Sequence, residues 1–109
     1  PALQDVTISV PAGGEFNGEV KVIGAFNNWN RGSAPLVAKG GQYRRTYRLN
    51  PGKYEYKFYV NGKELLDPNN PVKVSNGMGD FNNVLEVKYP QKRSRLSTML
   101  FLLMKEASN

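Results

Sequence analysis

The run from Lys53 to Val60, followed at once by Asn61-Gly62, constrains this chain more than any other feature. Tyr54, Tyr56, Phe58 and Val60 alternate with Lys53, Glu55, Lys57 and Tyr59, the period of a strand with one apolar face. Asn-Gly supplies the two positive-φ positions of a type I′ turn, so this strand is expected to be central and to fold straight back onto Lys63 to Leu66. Such a hairpin needs neighbours on both edges, and the same period recurs through the first ninety residues. Val6, Ile8 and Val10 alternate with Thr7 and Ser9, and Val20, Val22 and Gly24 with Lys21 and Ile23. Tyr43, Arg45, Tyr47 and Leu49 share one face of the next run, which places Arg45 near a sheet edge. Val72 and Val74 make a short strand, and Asn83 to Lys88 closes the series with Val84 and Glu86 on one face and Leu85 and Val87 on the other. About seven short strands with no helix between them predict an all-β sandwich over residues 1–90.

At 109 residues the chain is one domain in length, and its twelve Phe, Tyr and Trp residues suffice for a folded core. It has no cysteine and no histidine, so it offers no disulfide, no thiolate nucleophile and none of the commonest zinc ligands or general bases. That composition disfavours catalysis. The net charge of +6 divides evenly, because residues 91–109 carry four basic side chains and one acidic one. This appendage has a basic start, Gln91-Lys92-Arg93-Ser94-Arg95, and an apolar continuation from Leu96 to Met104 that favours a short helix. Its apolar residues run all round, which suits burial against an open sandwich face or a second copy of the chain better than a membrane surface. Its longest apolar run, Met99 to Met104, is far short of the about 18 residues of a membrane span, and no targeting segment is visible from Pro1. The chain reads as soluble, with its compartment unassigned.

Gly24-Ala25-Phe26-Asn27-Asn28-Trp29 puts the single tryptophan in a loop of small and amide residues directly after a strand. An exposed indole stacks on the C–H face of a pyranose, and flanking amides both donate to and accept from hydroxyls. A core tryptophan of the sandwich is the equal alternative.

Val22 to Trp29, Pro51 to Gly62, Asp67-Pro68 and Asn82-Asn83-Val84 resemble, in order and spacing, carbohydrate-binding module family 48, and most of all the glycogen-binding domains of AMP-activated protein kinase β subunits. The resemblance covers roughly residues 4–88. It implies an early-set immunoglobulin-like sandwich, without catalytic activity or cofactor, that binds α-1,4-linked glucans on one surface and localises an attached glucan-active enzyme or a kinase complex. Position by position it makes Trp29 a stacking ring, Lys57 a sugar-contacting ammonium and Asn82 an amide that bonds glucose hydroxyls. Met78 falls where the kinase domains carry a leucine that enters the curved glucan, and Asp80 where they carry a threonine. One departure matters: the family's second stacking tryptophan aligns with Glu64. Losing that wall implies binding weaker by about tenfold or more, with Tyr59 as a partial replacement on the Lys57 face.

A second role keeps the fold and drops the sugar, leaving a structural or protein-interaction domain that associates through 96–104. Nucleic-acid binding would rest on the net charge and on Arg44, Arg45 and Arg48, but the tyrosines alternate onto the core face and no recognition motif is present. Glu64 and Asp67 form no carboxylate pair with an implied pocket, and Asp80 with Asn82 lacks the further oxygens of a calcium loop.

Overall fold

A computed structural model describes residues 3–90 and 95–107. Among the described residues eight strands form two antiparallel sheets. The first sheet has the order β1-β4-β3, made of β1 (Gln4–Pro11), β3 (Val37–Lys39) and β4 (Gln42–Leu49). The second runs β2-β5-β8-β7, with β2 (Val20–Gly24), β5 (Gly52–Val60), β7 (Lys73–Ser75) and β8 (Phe81–Val87), while β6 (Lys63–Leu65) also pairs with β5. The expected sandwich is therefore present, with β5 at its centre.

The core lies between the sheets and is made by the residues that alternate inward. Ile8 and Val10 of β1, Val20 and Val22 of β2, Tyr43 of β4 and Tyr56, Phe58 and Val60 of β5 pack with Leu36 into one buried cluster. Each such side chain contributes about 1.5–3 kcal/mol on leaving water. Phe16 meets Phe58 edge to face at 5.3 Å between centroids and closes one end. Phe26 packs at 4.9 Å from Tyr47 near the other sheet.

The hairpin forms as the turn chemistry requires, with Asn61 at φ 50° and Gly62 at φ 79°, and Phe58, Tyr59 and Val60 opposite Leu65, Glu64 and Lys63. Two features escape period-two reading. The strand β3 has three exposed residues and no apolar alternation, and exists because β4 offers it a ladder at Arg44, Tyr43 and Gln42. Beyond Arg44 that edge of β4 is unpaired, so Arg45 does sit at a sheet edge, where its guanidinium donates to the Pro35 carbonyl at 3.3 Å. The second feature is a 3-10 turn at Ala25–Asn27.

The C-terminal helix α1 spans Arg95–Ala107. Met99, Leu100, Leu102, Leu103 and Met104 all remain more than half exposed, so these residues do not close an open face of the sandwich as the sequence suggested. Gln91 to Ser94, the basic start of the appendage, lie outside the described residues. No helix among the described residues is long and apolar enough to cross a membrane.

Between the sheets' edge and the β6–β7 connection lies a buried polar cluster. The Tyr56 hydroxyl donates to Asp67 Oδ2 at 2.7 Å, and Asn83 Oδ1 accepts from the Asp67 N–H at 2.7 Å. Asn70 Nδ2 donates to the Tyr56 oxygen and to the Val84 carbonyl, and Asn83 Nδ2 donates to the Asn70 carbonyl. Burial pushes the Tyr56 phenol well above its ordinary 10.0, and the Asp67 carboxylate adds to that rise. This cluster ties the segment after β6 to β5 and β8. Tyr56→Phe leaves Asp67 Oδ2 without its donor in a buried site, and is expected to cost about 1–3 kcal/mol of unfolding free energy in a urea titration; an unchanged midpoint would show that the cluster is not holding this connection.

Candidate functional site

The loop after β2 presents Trp29 through a series of local requirements. Gly24 lies so close to β5 that a Cβ there would fall 2.7 Å from the Glu55 carbonyl oxygen and 2.8 Å from the Tyr56 Cβ. The Asn27 side chain then pins the turn to the strand, accepting from the Gly24 N–H at 2.9 Å and donating to the Val22 carbonyl at 2.9 Å. Asn28 and Trp29 both adopt φ 57°, an uncommon conformation for a bulky residue that typically costs about 1–3 kcal/mol. The Trp29 N–H is bonded to the Gly24 carbonyl at 2.9 Å, which holds the residue there. The indole is 37% exposed, so the alternative of a core tryptophan is excluded.

Beside Trp29 an open cleft of about 710 Å³ crosses the outer face of the second sheet. Its floor carries Lys53 and Glu55 of β5 and Asn82 and Val84 of β8, and its far side is the β7 edge with Val72, Val74 and Asn76. Asn82 Nδ2 donates to Glu55 Oε1 at 3.1 Å. Val72 and Val74 are 56% and 40% exposed, as edge valines facing an open cleft. Trp29 and Asn82 are thus brought together, 53 residues apart in the chain.

Lys57 is placed differently. A lysine on the polar face of a strand reads as solvated, yet Lys57 is only 2% exposed. Its ammonium donates to Asp80 Oδ2 at 2.7 Å and lies 3.5 Å from Glu64 Oε1. The position explains the pairing: β8 pairs with β5 up to Tyr56 and β6 pairs with it from Phe58 onward, so Lys57 sits where one neighbour gives way to the next. Asp80 precedes β8 and Glu64 belongs to β6, one carboxylate from each side of that junction. Asp80 Oδ1 also accepts from the Phe81 N–H at 2.8 Å. The Lys57 hydrogen bond, and after it the Phe81 N–H, hold the Asp80 carboxyl below its ordinary 3.8.

Glu64, in the place of the family's second tryptophan, is also bonded to Arg31 at 2.8 Å. The Arg31 guanidinium lies 5.0 Å from the centre of the Tyr59 ring. One face of Tyr59 is therefore covered by Arg31. Met78 stands 87% exposed in the β7–β8 loop, where Asn76 Oδ1 accepts from its N–H at 2.8 Å. The structure divides the sequence candidates into Trp29 and Asn82 at the cleft, Lys57, Asp80 and Glu64 in an ion cluster, Tyr59 beneath Arg31, and Met78 on the loop. Glu55, Val72 and Val74 line the cleft without having been singled out. Among the described residues no group of three or more acidic side chains gathers as metal ligands do.

Residues 5–93 match the family model described as the glycogen recognition site of AMP-activated protein kinase. Over 70 residues the chain is 39% identical to 5'-AMP-activated protein kinase subunit beta-1 of Bos taurus, 37% to subunit beta-2 of Homo sapiens and 36% to subunit beta-1 of Homo sapiens. These alignments cover 64% of this chain and 25% of each relative, so the chain spans about a quarter of the length of the curated relatives it matches.

The low Asp80 value has a direct consequence for stability. A carboxyl whose value is depressed on folding stabilises above its unfolded value, and that contribution is lost as the pH falls through the depressed one. Asp80→Asn is therefore expected to lower the melting temperature at neutral pH, with the gap from wild type closing once the pH drops below 3.8. A gap that persists undiminished in acid would show that the pairing with Lys57 is not its source.

Proposed function

This chain belongs to the family of glycogen recognition sites of AMP-activated protein kinase, and from that membership we propose that residues 1–90 hold α-1,4-linked glucan chains against Trp29 and Asn82. The observation that supports this most is the strained, partly exposed indole beside an amide-bearing cleft, because neither strain nor exposure serves the core. A glucose unit would lay its C–H face on the indole and direct its hydroxyls to Asn82, which has both a donor and an acceptor. Family membership concerns recognition, and the composition supplies no histidine or cysteine for catalysis.

In this reading the module acts by raising the local concentration of what it is joined to at a polysaccharide surface. The kinase subunits named among its relatives make a kinase complex the foremost candidate for that companion, with a glucan-active enzyme as the other. Lys57 and Asp80 contribute by holding the loop that carries Met78 and whose Asn76 lines the cleft. With Glu64 occupied by Arg31 and Lys57, there is no second indole and binding is weak.

The exposed apolar residues of α1 favour a second role, association of two copies through 96–104. Sedimentation of the full chain and of a variant ending at residue 90 tests it, and identical monomers would dispose of it.

Trp29 is the single tryptophan, so its emission reports the site alone. Maltoheptaose and β-cyclodextrin are expected to shift it saturably at millimolar concentration while cellohexaose does not. Trp29→Ala should weaken calorimetric binding by about tenfold or more, the worth of one aromatic contact. No shift with either α-linked ligand would refute the proposed function.

A further inference from the structure

Glu55 is the least explained group in the cleft. It lies on the exposed face of β5, and its bonded partner among the described residues is Asn82, through Oε1 alone. Its second oxygen has no donor there. Two other carboxylates on this face are engaged, since Asp80 and Glu64 hold Lys57 and Glu64 also takes Arg31, while Glu86 of β8 shares the face but lies outside the cleft. Opposite Trp29 the cleft is bounded by Val72 and Val74 on the β7 edge, with Val84 at its floor. An apolar wall on each side of a single half-free carboxylate is an arrangement the surrounding fold does not need, since none of these side chains belongs to the core cluster.

We infer that Glu55 is a sugar-contacting residue, that its carboxylate takes the adjacent 2- and 3-hydroxyls of the glucose unit stacked on Trp29, and that Val72 and Val74 supply the second wall of the site. The inference rests on the glucan-binding reading and adds to it a residue, a wall and a requirement on the ligand. The chemistry is specific. A carboxylate has two oxygens at a spacing that suits two vicinal hydroxyls, and such charge-assisted bonds are about twice as strong as neutral ones. Its bond to Asn82 Nδ2 also orients that amide, turning Asn82 Oδ1 and the remaining N–H toward the ligand. The C–H edge of the same sugar then meets Val72 and Val74, so aliphatic surface on β7 stands in for the aromatic wall that Glu64 does not provide. The recognised ligand is a neutral α-glucan with free 2- and 3-hydroxyls.

The test is calorimetry on the full chain with maltoheptaose, and with β-cyclodextrin either unmodified or methylated at its 2- and 3-hydroxyls. Glu55→Ala is expected to weaken maltoheptaose binding by about tenfold or more, and Glu55→Gln, which keeps one acceptor, by less. Val74→Thr, a near-isosteric change that keeps strand preference, is expected to weaken it a few-fold. Glu86→Gln, an exposed carboxylate of β8 outside the cleft, should bind as wild type. Methylated cyclodextrin should fail to bind wild type. Circular dichroism melts of each variant exclude unfolding, and a shift of the Asn82 side-chain amide signals in Glu55→Gln reports the bond between the two. Wild-type binding that Trp29→Ala abolishes but Glu55→Ala and the methylated ligand leave intact overturns this inference while the proposed function stands. Wild-type protein that binds no glucan overturns both.

Discussion

The outer face of the second sheet is organised by one buried cation. Lys57 has its ammonium almost wholly out of water, and an unpaired charge there would cost several kcal/mol, so carboxylates must come to it. They come from two separate pieces of chain, Glu64 on β6 and Asp80 ahead of β8. The pairing therefore joins the hairpin to the β7–β8 loop at the point on β5 where backbone pairing passes from β8 to β6. Asp80 is largely exposed while Lys57 is not, so the bond is anchored from within and trimmed by water from without. A buried ion pair is weak support for stability as such; what it supplies here is position.

The opposite side of β5 carries a second polar cluster, built round the buried Asp67 carboxylate. Tyr56, Asp67, Asn70 and Asn83 satisfy one another and leave no buried side-chain polar atom without a partner among the described residues. Between them the two clusters set where β7 lies. Asn83 reaches the Asn70 and Val72 carbonyls at 3.0 and 3.4 Å, and the Val84 N–H reaches the Val72 carbonyl at 3.1 Å. With the β7–β8 pairing at Lys73, Val74 and Ser75, these bonds leave the exposed valines at the β7 edge facing Trp29 across the cleft.

The site was legible in unequal parts. Trp29 and Asn82 could be singled out because their motifs carry a family resemblance, and the fold gathers them at one cleft. Lys57 was legible as a residue with a role but not as a buried one, since period two tells which face a side chain takes and not whether that face is covered. Loop residues cover it here: Arg31, anchored by its carbonyl to Lys21 Nζ at 2.8 Å, reaches over Tyr59 to Glu64. Glu55 was hidden by its surroundings in the chain, where it reads as one more polar residue of an alternating strand. Val72 and Val74 read as a short strand, with no sign of what they would face. The apolar helix was foreseen, while its exposure was not, because a helix's composition says nothing of whether a partner surface is within reach.

What the sequence determined by itself was everything set by neighbours in the chain. Alternation chose the strands other than β3 and their inward faces, Asn61-Gly62 chose the hairpin, and the Asn27 side chain, bonded to the Gly24 N–H and the Val22 carbonyl, shaped the turn that lifts Trp29 outward. These are consequences of backbone sterics and of side chains within a few residues of one another. Tertiary structure alone decided the pairings across long stretches of chain: Lys57 with Asp80, Asn82 with Glu55, Asp67 with Asn83, and the β7 valines with Trp29. Each depends on two strands stopping at particular positions along β5, and hydrogen-bond registers are set by the packing of the whole sandwich and not by either segment alone.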